Sequence, residues 1–576
     1  MIITNIFKNP IIKSYANKYR RQLILGAFFV LITNFFLIAI PRTFKMGIDA
    51  VENNQPDKLT FIIICILIFA LIAGVSRFFM RNILFSTGRI IEEEIRNDFF
   101  GQLLRLPSKF YDVNKTGDIL SRSTHDLDSI RFLFGHVTMH IMNVISLYTF
   151  AIVSLMTLNI PLTILAITPF PMLFWLSKKF SKQFFILYKV MMEKNSELTV
   201  VAQETFSSIT TIKAFAREKE IKTRFFSVNE EYVNSNLKLV KIRGIFSPFI
   251  NFFTTLSTFI ILIFGGYLVI KNKMTLGAFV AFHSTLAFLI RPTIFIGWIT
   301  NMLQRSKASL VRLDEIMSYP DIIKDSSKVD KSISELSGNI EISKLNFSYF
   351  DTPVLNDISC KIKAGEMVAV IGEVGSGKST LIQLLQRLYD SYDGAIKYNG
   401  YDLKTVPISV LYKNSGYVSQ EPIVFSGTIK ENIAYDNQDI DVSEIIRVTE
   451  IACLTKDIDS FKDGYNTIIG ENGITLSGGQ KQRLSIARAL IKNPNILFFD
   501  NAFSAIDTET EEIILQNILE LKGKLTLILI AHRFSTLKYC DKILLMDNGS
   551  IIDQGTHQEL LEKNKTYEAI YEKQSL

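Results

Sequence analysis

Apolar positions are concentrated in the first 305 residues, where they form long runs, and become sparser and shorter afterwards. Six runs are long enough to cross a bilayer, at about 22–41, 59–80, 133–158, 160–182, 247–270 and 276–303. Two polar segments between them, about 81–132 and 183–246, continue a helical pattern beyond membrane thickness and predict rods that project into the cytosol. From about 340, short β-branched runs alternate with amphipathic helices, which predicts an α/β domain.

Composition and charge agree with a membrane protein. Of the 576 residues, 48% are hydrophobic and 44 are Phe, which is apolar for a soluble chain. The net charge of +7 does not by itself indicate nucleic acid, and we expect no nucleic-acid partner. Basic residues before the first run place the amino terminus in the cytosol: Lys8, Lys13, Lys18, Arg20 and Arg21. Six spans then return the chain to the cytosol, so both termini lie there.

Targeting and cysteine signals add little. The first apolar run is too long for a signal-peptide core and has no small-residue cleavage site, so we expect a retained anchor in the cytoplasmic membrane. The four cysteines form no CxxC pair, which indicates neither a disulfide framework nor a metal site: Cys65, Cys360, Cys453 and Cys540.

The run VAVIGEVGSGKSTLIQLL reads as a strand, a glycine-rich loop and a helix. Gly372, four residues, Gly377, Lys378 and Ser379 match the phosphate-binding loop, in which backbone N–H groups face the phosphates. Lys378 supplies a positive charge at the β- and γ-phosphates, and the hydroxyl of Ser379 ligates Mg²⁺. ATP and Mg²⁺ are therefore the expected cofactors, and the same loop adds three nucleotide-binding candidates: Gly375, Ser376 and Thr380.

The run LSGGQKQRLSIARAL, Leu476 to Leu490, is a second glycine-rich loop that opens a helix. Ser477, Gly478, Gly479 and Gln480 are candidates for holding an anion at the positive end of that helix. LSGGQ is the signature of ATP-binding cassette (ABC) ATPases, and the chain is identified as a member of that superfamily. Arg105–Ile130 and Glu204–Phe225 resemble the two intracellular loops of its exporters.

The resemblance implies roles for further residues. Tyr349 falls where family members stack an aromatic ring on adenine. Gln420 matches a glutamine that reaches Mg²⁺ and senses the membrane domain, and Asp500 matches the aspartate that orients the Mg²⁺ shell. Ser504–Asp507 matches the loop that communicates with the opposite site. His532 matches the switch histidine near the γ-phosphate, and Glu471 resembles a residue that touches the opposite chain's intracellular loops.

Asn501 departs from the family pattern. In the family, the aspartate at position 500 is followed by a glutamate that polarises the attacking water. An amide hydrogen-bonds water but cannot accept its proton. Losing general-base help costs about a hundred- to ten-thousand-fold in rate. We therefore expect a degenerate site that binds ATP and hydrolyses it feebly.

The family's head-to-tail dimer, in which each ATP lies between one phosphate loop and the other chain's LSGGQ, reconciles this site with transport. The chain resembles one half of bacterial heterodimeric multidrug exporters, and its LSGGQ is intact. We expect a heterodimer with a half-transporter that keeps the glutamate. Two alternatives stay open: a homodimeric exporter carrying an engineered, hydrolysis-arresting substitution, or a non-transporting regulatory protein.

Charged residues inside membrane spans are energetically costly and therefore indicate candidate functional positions. Arg291, followed by Pro292, lies near the middle of the sixth run. It either faces a water-filled pathway or bonds carbonyls that Pro292 frees, and the sequence does not decide between these. For Arg77, His136 and His140 a structural role is favoured.

The expected architecture is a multi-domain membrane protein. It comprises a six-helix, all-α transmembrane domain of ABC exporter type at 1–315, a linker at 316–338 and an α/β P-loop nucleotide-binding domain at 339–573. The expected function is ATP-driven export of amphipathic small molecules or lipids across the cytoplasmic membrane. Its expected partners are membrane lipids, a hydrophobic or amphipathic substrate and the second half-transporter.

Overall fold

The structure is a computed structural model that describes residues 9–319, 325, 329–349, 352–435, 439–470, 476–521, 523–531 and 533–575. The chain divides into two compact units. The first comprises Met1–Leu104 and Lys115–Tyr319, and the second comprises Arg105–Asn114 and Pro320–Leu576.

The first unit is all helical. Six of its described helices, some of them with internal breaks, are long and apolar enough to cross a membrane: Arg20–Glu52, Asp57–Leu103, Thr116–Leu158, Ile160–Ser207, Glu218–Ile270 and Leu276–Met317. The second of these has 47 residues, about 70 Å at 1.5 Å per residue, against about 30 Å for a hydrocarbon core. The prediction that helices continue well beyond the membrane is therefore confirmed. A short helix, Pro10–Lys18, precedes them.

Three of the six spanning helices are interrupted. Single turns of π-helix at Arg122–Asp126, Leu133–Val137 and Ile261–Gly265 break the third and fifth. The fourth is divided at Thr168, where Pro169 begins a new helix. The continuous α-helical pieces of these three are Thr116–Ser121, Leu127–Phe132, Thr138–Leu158, Ile160–Ile167, Pro169–Ser207, Glu218–Ile260 and Gly266–Ile270, and a separate short helix, Ile209–Ala214, lies between the fourth and the fifth.

Polar contacts join these helices, as expected where the hydrophobic effect gives little drive for helices to associate. The amide of Asn34 donates to the Ser146 hydroxyl at 2.6 Å. On the cytosolic side, the buried carboxylate of Asp126 pairs with Arg312 and accepts from the Ser309 hydroxyl at 2.8 Å. Both carboxylate oxygens of Asp126 are thereby used, and the third and sixth helices are held in register.

The second unit is built on β-sheets with helices around them. Its strands are β1 Ile340–Tyr349, β2 Thr352–Ile362, β3 Met367–Gly372, β4 Asp393–Tyr398, β5 Tyr401–Asp402, β6 Ser415–Val418, β7 Gly427–Thr428, β8 Ile468–Ile469, β9 Ile496–Asp500, β10 Thr526–Ile530, β11 Lys542–Asp547 and β12 Ser550–Gly555. The described part contains a six-stranded sheet in the order β12-β11-β3-β10-β9-β6 and an antiparallel sheet in the order β2-β1-β4-β5. In the larger sheet, only β12 runs antiparallel to its neighbour.

The helices of the second unit pack on these sheets and on one another. Their bounds are Ser108–Val113, Lys378–Leu385, Ile408–Asn414, Ile429–Ile433, Val442–Ile451, Thr455–Ser460, Gly478–Leu490, Thr508–Leu519, Phe534–Leu537, His557–Lys563 and Lys565–Ser575. Strands β3, β9 and β10 are almost wholly buried, which is why their sequences are continuous apolar runs.

Two structural details concern the predicted domain ranges. The sixth spanning helix continues to Met317, two residues beyond the expected end at 315. The short helix Ser108–Val113, which the sequence assigns to the first domain, belongs to the second unit, where the hydroxyl of Tyr389 donates to the Asp112 carboxylate at 2.7 Å.

Candidate functional site

The carboxyl ends of four neighbouring parallel strands bring the predicted site residues to one edge of the larger sheet. Residue Ile530 of β10 pairs with Val370 of β3 and with Asp500 of β9, so these strands end at the same level. The phosphate loop follows β3, Asn501 follows β9, and the segment after β6 carries Gln420. Open α/β sheets bind ligands at this edge.

The phosphate loop requires its glycines. Gly372 and Gly377 have φ angles of 151° and 93°, which side-chain-bearing residues rarely adopt. At Gly372 an added Cβ would lie 2.1 Å from the carbonyl oxygen of Met546, so backbone would have to move. Gly377 comes directly before the helix Lys378–Leu385, and the loop's N–H groups join the positive end of that helix.

Lys378 is held over this loop. Its ammonium donates to the carbonyl oxygens of Gly372 at 2.9 Å and Glu373 at 2.7 Å, and lies 3.4 Å from the hydroxyl of the buried Ser376. Burial lowers the pKa of Lys378, and the negative charge of Asp500 partly opposes this change. The loop therefore presents a desolvated positive charge among backbone dipoles.

Two of the predicted metal ligands meet directly. The hydroxyl of Ser379 donates to the Asp500 carboxylate at 2.9 Å, although the two residues are 121 positions apart. Asp500 is 4% exposed. Hydroxyl, carboxylate and amide oxygens suit Mg²⁺, which commonly takes one or two protein ligands together with nucleotide phosphates. The donor set of Ser379, Asp500 and Gln420 fits that pattern.

A cavity of about 340 Å³ connects these groups. Its walls are Val354, Val374, Gly375, Gly377, Lys378, Ser379, Thr380, Gln420 and Asn501. The predicted anion-binding loop, two of the three predicted metal ligands (Ser379 and Gln420) and the amide of Asn501 thus share one space, while Asp500 contacts it through its hydrogen bond with Ser379. None of LSGGQ lines this cavity, as expected if the signature serves a site on another chain.

Asn501 has unusual backbone and side-chain geometry. Its φ is 51°, in the left-handed region that Asn tolerates better than most residues. Within the described part of the chain, its side-chain oxygen is buried and has no hydrogen-bond partner. It also lines a second, smaller cavity with Glu511, Arg533 and Thr536. An unpaired acceptor at this position can orient a water molecule but cannot deprotonate it.

Tyr349 lies at the end of β1, beside the helix of the phosphate loop. Its hydroxyl donates to the side chain of Gln383 at 2.9 Å, and its ring packs edge-on against Phe347 and Tyr389. The described residues thus place this ring next to the helix that follows Lys378. Its predicted contact with adenine stays a prediction.

The signature segment forms the capped start of the helix Gly478–Leu490. The Ser477 hydroxyl accepts from the Gln480 N–H, and the Gln480 side chain accepts from the Ser477 N–H at 2.9 Å. The amide of Gln480 also donates to Asp457 at 2.8 Å. Gln480 therefore stabilises the loop's conformation, while the helix start that includes Gly478 and Gly479 supplies N–H groups for an anion.

The loop Ser504–Asp507 is fixed from two sides, by residues that motif matching did not single out. From the signature helix, the buried amide of Gln482 donates to the Ser504 hydroxyl at 2.6 Å and accepts from the Ala505 N–H at 2.8 Å. From the other side, Arg533 donates to the Ile506 carbonyl oxygen at 3.0 Å and pairs with the buried Glu511.

Several candidates are not placed. His532 and Glu471 lie outside the described residues, as does the side chain of Arg291, although its backbone is in the sixth helix. The ring of His136 stacks on Phe85 at 4.1 Å, and that of His140 stacks on Phe295 at 4.7 Å. Both histidines thus have packing partners.

Two family descriptions match this chain. "ABC transporter transmembrane region" matches residues 23–293, and "ABC transporter" matches residues 355–504. The probable multidrug resistance ABC transporter ATP-binding/permease protein YheI of Bacillus subtilis is 33% identical over 98% of this chain and 96% of its own length. The ATP-dependent lipid A-core flippase of Syntrophus aciditrophicus is 34% identical over 91% and 87%.

The chain belongs to the ABC transporter family. A bacterial Atm1-family ABC exporter with ATP bound has a similar structure, with a TM-score of 0.80, 26% identity and coverage of 97% of this chain and 99% of that chain. The predicted fold and family are thereby confirmed. This ABC exporter is an ATP-coupled half-transporter with both domains in one chain, in the cell membrane, with its nucleotide-binding domain in the cytoplasm. Exporters of this family act as dimers.

Proposed function

We propose that this exporter is the degenerate half of a heterodimer that moves amphipathic small molecules or lipids out of the cell. Its own site holds ATP with Mg²⁺ and hydrolyses it feebly, while its signature helix completes the site of a partner that keeps the glutamate. Relatives named for multidrug resistance and for lipid A-core flipping support this substrate range.

The observation that carries the proposal is the position of Asn501. Its side chain lines the same cavity as Lys378, Ser379 and Gln420, directly after the buried Asp500. The groups for binding phosphate and metal are present, and the group at the expected position of the base is an amide. Bound Mg²⁺ would neutralise phosphate charge, and this chain would hold it through Ser379, Gln420 and Asp500.

The test compares three full-length proteins, each reconstituted without any other subunit in lipid nanodiscs that hold two copies of the chain, so that each phosphate loop can meet an LSGGQ: the native chain, Asn501→Glu and Asn501→Gln. Glutamine matches glutamate in length and in backbone strain at this left-handed position, so the difference between the two variants isolates the carboxylate. We expect ATP turnover to rise about a hundredfold with Asn501→Glu and not with Asn501→Gln.

Two results would contradict the proposal. Equal turnover for the two variants would show that the missing base does not limit hydrolysis. Brisk turnover coupled to transport by the native chain alone would show that no glutamate-bearing partner is needed. The genome offers a further check. The proposal expects a neighbouring half-transporter gene in which the aspartate that corresponds to Asp500 is followed by glutamate.

A further inference from the structure

A cavity in the first unit is separate from the nucleotide site. It has a volume of about 260 Å³ and lies where the fourth, fifth and sixth spanning helices meet. Its lining residues fall near 180 on the fourth helix, near 245 on the fifth and near 300 on the sixth. With the amino terminus in the cytosol, all three positions are at the cytoplasmic ends of the apolar runs. The cavity therefore lies at the level of the inner-leaflet head groups.

Four aromatic rings line this cavity. Phe180 and Phe246 lie 5.0 Å apart between ring centroids, with Phe184 and Trp298 completing the set. Trp298 is itself packed edge-on against the ring of His140 at 5.4 Å. Rings held in this way offer flat apolar walls, which suit a planar ring system better than a flexible acyl chain.

Three polar side chains line the same cavity: Ser177, Arg243 and Asn301. The guanidinium of Arg243 lies 5.9 Å above the ring of Phe184, and none of the ion pairs among the described residues includes it. The hydroxyl of Ser177 is buried, with the residue 4% exposed, and has no hydrogen-bond partner among the described residues. A buried hydroxyl without a partner is unfavourable, so a ligand atom that pairs with it would gain by binding.

The chain segments that carry the lining residues are basic. Segments 177–184, 241–246 and 297–305 contain no acidic residue and six basic ones, of which only Arg243 lines the cavity: Lys178, Lys179, Lys182, Lys241, Arg243 and Arg305. A site with this potential attracts anions and disfavours cations. Its volume is just below the range of about 300–1,000 Å³ for drug-sized pockets, so it fits one or two fused rings rather than a lipid.

We propose that this cavity binds an aromatic amphipathic anion that enters from the inner leaflet, with the rings between Phe180, Phe246 and Trp298 and the anionic group at Arg243. This deepens the proposed export function by naming a substrate class. Ligand binding to this cavity is tested without nucleotide. A negative result would therefore not affect the ATP turnover comparison of the Asn501→Glu and Asn501→Gln variants.

The test uses two probes that share a ring system. One is 1-anilinonaphthalene-8-sulfonate, and the other is N-phenyl-1-naphthylamine, which lacks the sulfonate. The chain has two tryptophans, so Trp175→Phe leaves Trp298 as the only one and makes its quenching the readout. Titrations are made on the full-length chain in zwitterionic nanodiscs. We expect saturable quenching by both probes, at least tenfold tighter for the sulfonate.

Variants then assign the binding. Arg243→Gln should weaken the sulfonate probe about tenfold and leave the neutral probe within twofold. Lys241→Gln, a nearby cation that does not line the cavity, should change neither. Gly297→Leu should reduce binding of both probes by filling the space, and Phe180→Ala should weaken both if the larger glycine replacement prevents folding.

Three outcomes would overturn the proposal. One is equal affinity for the two probes. Another is an equal effect of the Arg243 and Lys241 variants. The third is that binding of the sulfonate probe falls in proportion to phosphatidylglycerol added to the nanodiscs. That result would show that the cavity binds lipid head groups rather than aromatic substrates.

Discussion

Removing the carboxylate of Glu511 should destabilise the nucleotide-binding unit more than removing the carboxylate of the adjacent Glu512. Glu511 is 2% exposed and accepts from Arg533 and from the Thr536 hydroxyl, each at 2.5 Å. Glu511→Ala leaves the Thr536 hydroxyl, 1% exposed, without its acceptor, and leaves Arg533 with the Ile506 carbonyl oxygen but no carboxylate partner. Breaking a buried pair costs about 3–5 kcal/mol. Because Arg533 is 39% exposed and regains water, we expect about 3 kcal/mol.

The adjacent Glu512 gives a matched control. It accepts from Lys538 at 2.9 Å and Tyr539 at 2.7 Å, but it is 40% exposed. An exposed pair of this kind contributes little to stability, because water screens the two charges and solvates them when the pair is broken.

The unfolding temperature is measured by calorimetry of the full-length chain in detergent. Tryptophan fluorescence would not report on the nucleotide-binding unit, because both tryptophans lie in the first unit. For a domain of this size about 1 kcal/mol corresponds to roughly 2–4 °C. Glu511→Ala should therefore lower the unfolding temperature by about 6–12 °C, and Glu512→Ala by much less. Equal shifts for the two variants would refute the assignment of Glu511 as a buried anchor of the Ser504–Asp507 loop.

Three further predictions concern the same unit. Gly479→Ala places a Cβ 2.9 Å from the carbonyl oxygen of Ala505, so ATP turnover of the assembled dimer should fall about tenfold. Gly478→Ala, whose nearest contact is at 3.3 Å, should lower ATP turnover less. Equal losses of turnover in the two variants would contradict this prediction. Burial lowers the pKa of Lys378, so ATP affinity should decline as pH rises towards 10, sooner than an ordinary lysine would allow, and Lys378→Arg should abolish that decline in nucleotide titrations. Burial raises the pKa of the Cys360 thiol to about 11, so mass spectrometry should find it unlabelled by maleimide at pH 7 until the chain is unfolded; labelling of the folded protein would contradict this.

The fold was predictable because its strongest signals are local. Runs of about 20 apolar residues have few stable placements other than a membrane span, and six such runs correspond to the six spanning helices. The glycine-rich loop after β3 has a backbone that Gly372 and Gly377 permit and other residues do not. In both cases a short stretch of sequence determines its own conformation.

Other features depend on residues far apart in the chain and gave no local signal. Glu511 and Arg533 are 22 positions apart, and neither matches a phosphate-binding motif, yet they meet beneath the loop Ser504–Asp507. The aromatic cavity joins three helices whose sequences each look like ordinary span ends. The π-helical turn at Leu133–Val137 lies at the start of the third apolar run, where the sequence pattern predicts only the beginning of a span. Tertiary packing determines these details, so periodicity alone does not reveal them.

The side chains proposed to hold the nucleotide are positioned without any contact that depends on Asn501. Lys378 is oriented by carbonyl oxygens of its own loop, and Ser379 by Asp500, so neither contact requires a carboxylate at position 501. The signature helix is capped by Ser477 and Gln480, again without residue 501. We infer that an amide at Asn501 removes the base and leaves both the holding site and the partner-facing surface intact. In the proposed heterodimer, this chain would then contribute bound ATP and a signature helix, while the partner's site carries out hydrolysis.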